Sequence, residues 1–587
     1  MPPRRRVDRR FFRDAWELTK PYWSSSPERW SARLLLAGII ALNLFQVYLQ
    51  VWLNEWRGLF FDALQEYNEP VFVRQLIRFS IWAVIAIATS LLTYYLTQML
   101  QIRWRRWMTG RYIRSWLDHK AYYRMQLIGS AADNPDQRIA DDLRIFTTQV
   151  LSLSIGLLSS VVTFFSFFLI LWNLSGPLTI PLGALGIGLT SITIPGYAAV
   201  GAILYAGIGT WLTVKIGRPL VSLLFNQQRY EADFRYSLVR LRENSESIAF
   251  YSGEPQEDAV LTLRFSRVFG NFLAVLRRQM QLIIMNSGYS QIAIIVPYIV
   301  AAPKYFGKAI EFGGIQQIAT AFDQVQSSLS FVVNSYSDIA ELQAVMSRLT
   351  EFQHRAAEVR KAAEEPTIAL DTADQPGLAV QELDLALPDG TLLRQNINLD
   401  VPPGGHLLVM GPSGAGKSTL LRAISGLWPF GKGRIASGAK RPLFLPQRPY
   451  IPLGTLRQAI LYPYDPADVT DADIKSALET VGLAALFDEL EHEDIWAQRL
   501  SIGEQQRLAF ARILVQRPDM IFMDEATSAL DEATEERLYK VVEEMTPRPT
   551  ILSVGHRSTL KALHDGVFDL GPPLTGASAT GAAAAGA

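Results

Sequence analysis

The 587-residue sequence has no cysteine. That excludes disulfides and thiolate-held metal sites, and it leaves the redox compartment undetermined. There is no surplus of either charge: Lys plus Arg and Asp plus Glu both total 56, so the balance points to no nucleic-acid or acidic partner. Arg4, Arg5, Arg6, Arg9 and Arg10 are not followed directly by an apolar stretch with a cleavage site, so no removable signal peptide is expected. What the chain has in excess is length and apolar character. Single cores stop growing at roughly 250–300 residues, so two or more domains are expected. Hydrophobic residues make up 49% of the sequence, and its mean hydropathy is +0.12, which directs attention to membrane segments.

Apolar runs long enough to cross about 30 Å of hydrocarbon occur six times. They are Leu34–Leu53, Phe79–Leu100, Val150–Trp172, Tyr197–Val214, Leu282–Ala301 and Ile315–Val333. The last is poor, because it holds Gln316, Gln317, Asp323, Gln324 and Gln326. With a cytoplasmic amino terminus, segments 1–33, 101–149 and 215–281 face inward. Leaving out Arg33 at the membrane edge, they carry 8, 9 and 10 Lys or Arg, a total of 27. The outer loops carry Arg57, Arg74, Lys304 and Lys308, besides Arg78 next to the second span. This asymmetry is the positive-inside pattern, and it puts the carboxy-terminal half in the cytoplasm.

Asp323 has two readings. A carboxylate inside a span is costly unless it meets water or a partner, so it either walls a polar cavity with Gln316, Gln324 and Gln326 or marks the end of a span that starts later. Asn43, Gln46 and Gln50 recur at helical spacing on the first span, where they would line a cavity or bond a neighbouring helix. The expected division is a transmembrane domain over 1–351, a helix end and linker over 352–376, a nucleotide-binding domain over 377–571 and a disordered tail over 572–587.

In the second half, the short apolar run Leu407–Met410 precedes Gly411-Pro-Ser-Gly-Ala-Gly416-Lys417-Ser418, and an amphipathic helix follows. This is a phosphate-binding loop in its strand–loop–helix setting. Its glycines let backbone N–H groups close on phosphate oxygens, helped by the dipole at the helix start. Lys417 would neutralise the β- and γ-phosphates, and the Ser418 hydroxyl would ligate Mg²⁺. A second strand, Met520-Ile-Phe-Met523, ends in Asp524 and Glu525. Phosphoryl transfer to water needs one carboxylate for Mg²⁺ and one to orient or deprotonate water.

Leu500-Ser-Ile-Gly-Glu-Gln-Gln-Arg507 resembles the signature motif of ABC ATPases. Gln447 in LFLPQRPYI is similar to the family's Q-loop glutamine, Ser528-Ala-Leu-Asp531 to its D-loop, and His556 in ILSVGHR to its switch histidine. The order along the chain also matches. The resemblance implies ATP and Mg²⁺ as cofactors. Gly411, Ser413, Gly414, Gly416, Lys417, Ser418 and Thr419 would bind nucleotide; Ser418, Gln447 and Asp524 would hold the metal; Glu525, His556 and Gln447 would serve hydrolysis, with Glu525 as general base. Ser501, Gly503 and Asp531 would complete the site across a dimer, Ser501 and Gly503 touching the γ-phosphate bound by the other chain. The chain departs from the family at Ile502 and Glu504, often Gly and Gln, and at Leu387 in ALPDG, where an adenine-stacking aromatic is usual.

The membrane half resembles one group in particular. LNEWRGLFFDALQEYN (Leu53–Asn68), NPDQRIADDLRIF (Asn134–Phe146), IGRPL (Ile216–Leu220) and FRYSLVRLRENSESIAFYSGE (Phe234–Glu254) are similar to D-subfamily acyl-CoA half-transporters and to bacterial BacA-related proteins associated with cobalamin and antimicrobial peptides. The implied architecture is a polytopic α-helical membrane domain with six spans and an exporter-like fold, followed by an α/β ATPase domain. The implied function is ATP hydrolysis coupled to moving a bulky solute across a bacterial cytoplasmic membrane, by a dimer of half-transporters in membrane lipid, most simply a homodimer. An acyl-CoA or lipid-like cargo is the alternative, and a membrane ATPase that senses without transporting is the minor one. Asn134–Ile139 and Glu243–Glu254, with Arg242, Glu243 and Glu246, are expected to dock on the ATPase.

Overall fold

The computed structural model describes residues 9–128, 135–181, 191–372, 377–464 and 469–572. It divides into two compact units, Met1–Tyr112 with Asp136–Phe352, and Ile113–Pro135 with Gln353–Ala587.

The first unit is built of long helices. Five are long and apolar enough to cross a membrane: Arg29–Gln65, Glu69–Leu127, Pro135–Ser175, Tyr197–Glu243 and Glu254–Phe306. Each contains one of the first five expected spans and runs well past it, because charged, helix-favouring sequence continues the helix beyond the apolar run. Side chains such as Ile81, Val84, Ile87 and Leu91 stand exposed along the second helix, as lipid-facing positions must. Between the third and fourth, strands β1 (Pro177–Pro181) and β2 (Ser191–Pro195) form an antiparallel hairpin.

The sixth expected span falls within helix Phe312–Asn334, which is not among these five, and Asp323 lies at the middle of that helix rather than at its end. At 1.5 Å per residue, 23 residues reach about 35 Å. Its low hydropathy has a packing explanation. Ile315, Ile318, Phe322 and Val325 form one buried stripe against Phe167, Leu171, Ala198, Ala202 and Ala301 of the neighbouring helices. Several of its polar residues, Gln316, Asp323, Gln324 and Gln326, instead line a cavity between helices. Its start is fixed by Arg29–Gln65: Gln65 Oε1 accepts from the Phe312 N–H at 2.8 Å, and Asp62 Oδ1 accepts from the Gly313 N–H at 2.7 Å. A carboxylate at a helix amino terminus is favoured by the dipole. Gly313 is required there, since a Cβ would stand 2.1 Å from the Gly58 carbonyl oxygen.

Towards the end of the unit, Asp142 is 1% exposed. It accepts from Arg348 Nε and Nη2 at 2.7 and 2.6 Å, and Arg138 Nη1 lies 3.3 Å away. The short helix Ser245–Tyr251 ends at left-handed Ser252 and leaves Phe250 and Tyr251 exposed, beside exposed Arg242, Glu243 and Glu246.

The second unit has two sheets. β3 (Ile368–Thr372), β4 (Leu378–Ala386), β5 (Leu392–Val401) and β7 (Gly431–Ser437) form a mostly antiparallel one in the order β3-β7-β4-β5. β6 (His406–Met410), β8 (Pro442–Leu445), β11 (Met520–Asp524), β12 (Thr550–Val554) and β13 (Gly566–Asp569) form a parallel one in the order β13-β6-β12-β11-β8. The two-residue strands β9 (Gly454–Thr455) and β10 (Glu493–Asp494) pair with each other. Residues 352–376, expected as helix end and linker, hold the end of helix Tyr336–Glu364 and then β3, which joins the sheet through β7. The tail expected over 572–587 lies outside the described residues beyond Pro572.

A piece of the first long loop belongs to this unit. Lys120 Nζ donates to the Ser425 carbonyl at 3.1 Å, and Arg124 Nη2 donates to that of Gly426 at 2.8 Å. Leu127 packs on the same core. Cations at the carboxyl end of helix Lys417–Ile424 match its dipole. This contact lies upstream of the Asn134–Ile139 segment expected to dock; Pro135–Ile139 belong to the helix ending at Ser175, and Asn134 lies outside the described residues.

Removing one partner of a buried ion pair strands the other, while Arg138 and partial solvent access at Arg348 soften the loss. Arg348→Met is therefore expected to destabilise the detergent-purified protein by about 2 kcal/mol. The check is its thermal unfolding midpoint, with the double variant Arg348→Met/Asp142→Leu recovering part of the loss.

Candidate functional site

The phosphate loop leaves β6 at the carboxyl edge of the parallel sheet, where ligands of open α/β folds bind. Gly411, Gly414 and Gly416 have φ of +148°, +77° and +93°, a left-handed path that side-chain-bearing residues resist. Lys417 begins the following helix and is only 6% exposed. Its ammonium donates to the Gly411 and Pro412 carbonyls at 2.9 and 3.0 Å, inside the curl of the loop. Burial pushes its pKa below the usual lysine value, and the Glu525 and Asp524 carboxylates oppose that shift. Arg394 braces the loop from β5, donating to the carbonyls of Ala415 at 2.7 Å and Gly571 at 2.6 Å.

Two further groups complete the site. Ser418 Oγ donates to Asp524 Oδ1 at 3.0 Å, joining the two residues expected to share a metal. Glu525 follows β11 in a left-handed conformation, φ +49°, with its N–H bonded to the Val554 carbonyl at 3.0 Å. Its carboxylate accepts from Gln447 Nε2 at 3.2 Å and lies 3.2 Å from His556 Nε2. Gln447, His556 and Glu525 thus meet, with Gln447 on the Glu525 side rather than bonded to Ser418.

A cradle of backbone N–H groups around a desolvated ammonium fits a polyphosphate. A hydroxyl beside a carboxylate fits a hard cation such as Mg²⁺. ATP and Mg²⁺ therefore suit the residues present.

Ser501 caps helix Ile502–Gln516: its Oγ accepts from the Glu504 N–H, and Glu504 Oε2 accepts from the Ser501 N–H at 2.9 Å and hydroxyl at 2.8 Å. These bonds hold the Glu504 carboxyl below the usual carboxylate range. Glu504, a departure from the family pattern, therefore has a structural use as the N3 partner of Ser501 in a capping box. Gly503 lies against the Ala529 carbonyl, which a Cβ would meet at 3.3 Å. Asp531 caps helix Glu532–Glu543, accepting from the Thr534 N–H at 2.9 Å. Ser413 and Thr419 lie on the loop and first helical turn.

One residue not anticipated from the motifs is Gln506, fully buried in helix Ile502–Gln516. Its Nε2 donates to the Gln447 carbonyl at 3.0 Å and to Ser528 Oγ at 3.2 Å, and its Oε1 accepts from the Ala529 N–H at 2.9 Å. It ties together three segments of the site. Arg557 adds a second tie, donating to the carbonyls of Leu530 at 2.8 Å and Ser528 at 3.0 Å. The sequence signal for Gln506 is a polar residue on the otherwise apolar face of its helix.

The first unit holds a cavity of about 680 Å³ walled by four helices, and Asp323, Gln316, Gln324 and Gln326 line it. Gln50 of the first span does as well. Gln46 instead bonds the second helix through Ser90 and Thr93, both at 3.4 Å, and Asn43 bonds its own Ile39 carbonyl at 2.8 Å. Asn286, Tyr289, Ser290 and Tyr298 also line the cavity. Their helical spacing inside the fifth apolar run is visible in the sequence but was masked by its overall hydropathy.

Residues 19–306 match the family model "ABC transporter transmembrane region 2", and 394–528 match "ABC transporter". The chain is 36% identical to "ABC transporter D family member 2, chloroplastic" of Arabidopsis thaliana, over 94% of this chain and 85% of that one. It is 34% identical to "Inner membrane ABC transporter ATP-binding protein YddA" of Escherichia coli, over 95% and 97%. It is 27% identical to "Lysosomal cobalamin transporter ABCD4" of Homo sapiens, over 80% of each. A solved bacterial Atm1-family ABC exporter with ATP bound has the same fold, with a TM-score of 0.67 at 17% identity over 92% of this chain and 93% of that one.

Gln506→Leu leaves the Gln447 carbonyl and the Ala529 N–H without their buried partner. At about 1–3 kcal/mol per stranded group, ATP hydrolysis is expected to fall by roughly tenfold or more. Nucleotide affinity, set by the phosphate loop, is expected to stay near wild type in the same preparation, measured by fluorescent-nucleotide binding.

Proposed function

We propose, from the premise that this chain belongs to the ABC transporter family, that it moves a bulky hydrophilic solute, cobalamin-like or peptide, across a bacterial cytoplasmic membrane. In this family, hydrolysis by the ABC domain is coupled to transport. The observation that carries the hydrophilic reading is the polar cavity of about 680 Å³, whose walls include Asp323 and three glutamines of one helix. The name of the human relative adds cobalamin as the first cargo to try.

The working unit in this reading is a homodimer with six spans per chain and its ATPase domains in the cytoplasm. Lys417 and the loop from Gly411 to Thr419 hold the phosphates; Ser418 and Asp524, with the side-chain carbonyl oxygen of Gln447, would hold Mg²⁺, which would screen the phosphate charge. Glu525 takes the proton of the attacking water, and His556 and Gln447, both within hydrogen-bond reach of it, orient the water and the γ-phosphate. Ser501 and Gly503 of the partner subunit close the site from the other side, near Asp531. With Leu387 where an aromatic is usual, base recognition contributes less than phosphate recognition. Exposed Phe250 and Tyr251 suit docking on the partner's ATPase. An acyl-CoA cargo rests on the resemblance alone; among the described residues lining the cavity, Arg57 is the cationic one, and Asp323 offsets it.

The test is uptake of radiolabelled cobalamin by bacterial cells lacking their own uptake system. Cells expressing the wild-type chain are expected to accumulate label, and cells with equal membrane levels of Glu525→Gln to stay at background. Equal uptake by both, or none by either, overturns the ATP-driven cobalamin reading.

A further inference from the structure

The cavity wall carries chemical information beyond its polarity. Its charges cancel: among the described lining residues, Arg57 and Asp323 are the charged ones. Arg57 is already engaged, donating to Thr320 Oγ1 at 2.7 Å. A polyanion or polycation entering here would lose water without gaining a surplus of opposite charge.

The wall is rich in carboxamides instead. Seven of its side chains are Asn or Gln, drawn from three helices. Each offers an N–H donor and a carbonyl acceptor, so a carboxamide or peptide group can be met by paired bonds that a carboxylate or an ammonium cannot reciprocate.

Asn54 supplies an independent observation. It lines the cavity, is only 2% exposed, and its Oδ1 has no hydrogen-bond partner among the described residues. Buried acceptors are normally satisfied, and an unsatisfied one is costly. Gln50 and Arg57, each one turn away on the same helix, also line the cavity, so Asn54 belongs to its polar wall.

We propose that this cavity selects an uncharged, carboxamide-bearing solute, and that Asn54 Oδ1 accepts an N–H from it. The proposal rests on reading the cavity as the cargo site. It differs from the cobalamin assignment in naming the chemistry that any cargo must present and the residue that reads it.

The experiment measures ATPase stimulation of the full chain in liposomes by five probes. They are cyanocobalamin, an N-acetylated and C-amidated hexapeptide of Gly and Asn, the same peptide with Asp or with Lys in place of Asn, and palmitoyl-CoA. Stimulation is expected from at least one of the two neutral probes, with half-maximal concentrations at least about tenfold lower than for the charged ones. Asn54→Leu is expected to raise the neutral probe's half-maximal concentration about tenfold, scored as stimulation over the variant's own basal rate. Asn54→Asp keeps the size and an acceptor, and it is expected to shift preference towards the Lys peptide. It serves if the leucine variant does not fold. Strongest stimulation by palmitoyl-CoA or by a charged peptide overturns the proposal. So does silence with all five probes, or a wild-type response from either Asn54 variant. If cobalamin uptake fails while the capped Asn peptide stimulates in an Asn54-dependent way, the cobalamin assignment falls and this inference stands. Uptake of cobalamin indifferent to Asn54 has the opposite meaning.

Discussion

A lysine ammonium taken out of water and held by two backbone carbonyls governs the second unit. Lys417 sits inside a loop that can curl around it only because Gly411, Gly414 and Gly416 accept positive φ. At Gly416 a Cβ would also press against Leu393 Cδ2 at 3.0 Å, so the close approach to β5 has the same requirement. The two carbonyls take two of the ammonium's three hydrogens, and Glu525 and Asp524 offset its charge from the side, so a phosphate oxygen suits the remaining donor. The strand order β6-β12-β11 then brings Asp524 and Glu525 to the same edge from two strands away. Sheet topology thereby converts three distant sequence motifs into one site.

The remaining parts gain their positions by hydrogen bonds to that edge. Glu525 stays in its left-handed turn because the neighbouring β12 takes its N–H, and its carboxylate meets Gln447 and His556 from opposite segments. Gln506 and Arg557 lock those segments to the Ser528–Asp531 turn, so displacement of one is felt by the others. At the far end of the phosphate-loop helix, Lys120 and Arg124 hold the Ser425 and Gly426 carbonyls. One eight-residue helix thus has a phosphate cradle at its start and a piece of the membrane protein's first loop at its end. In the first unit the parallel constraint is the central helix Phe312–Asn334, which spends its apolar residues on its neighbours and keeps its polar ones for the cavity.

The parts that meet at the candidate site were legible because their patterns are local in sequence: a loop needing glycines, an acidic pair ending a strand, a serine three residues before an acidic cap partner. The five long apolar helices were legible for the same reason, since lipid imposes composition on any stretch it touches. What escaped was everything decided by packing across the chain. The polarity of Ile315–Val333 is ambiguous until its buried stripe is seen to face other helices, which resolves Asp323 as a cavity residue. Gln46 and Gln50 are one turn apart and look equivalent, yet one bonds a neighbour and the other lines the cavity. Gln506 reads as one more residue of a helical motif, and only its burial reveals three partners.

Absence of cysteine gives the central claim, that each ATP is held between two copies of the chain, a direct test without background thiols. Ser413→Cys and Ile502→Cys would be combined in the Glu525→Gln chain, placing one thiol on the phosphate loop and one beside Ser501. A disulfide needs Cα atoms within about 7 Å, so cross-linking between copies reports the sandwich itself. With Mg-ATP and a mild oxidant, covalent dimers are predicted to accumulate well above the yield with ADP, and each single-cysteine chain is predicted to give few. Equal yields with ATP and ADP, or monomers throughout although both thiols react with a small maleimide, would contradict the account.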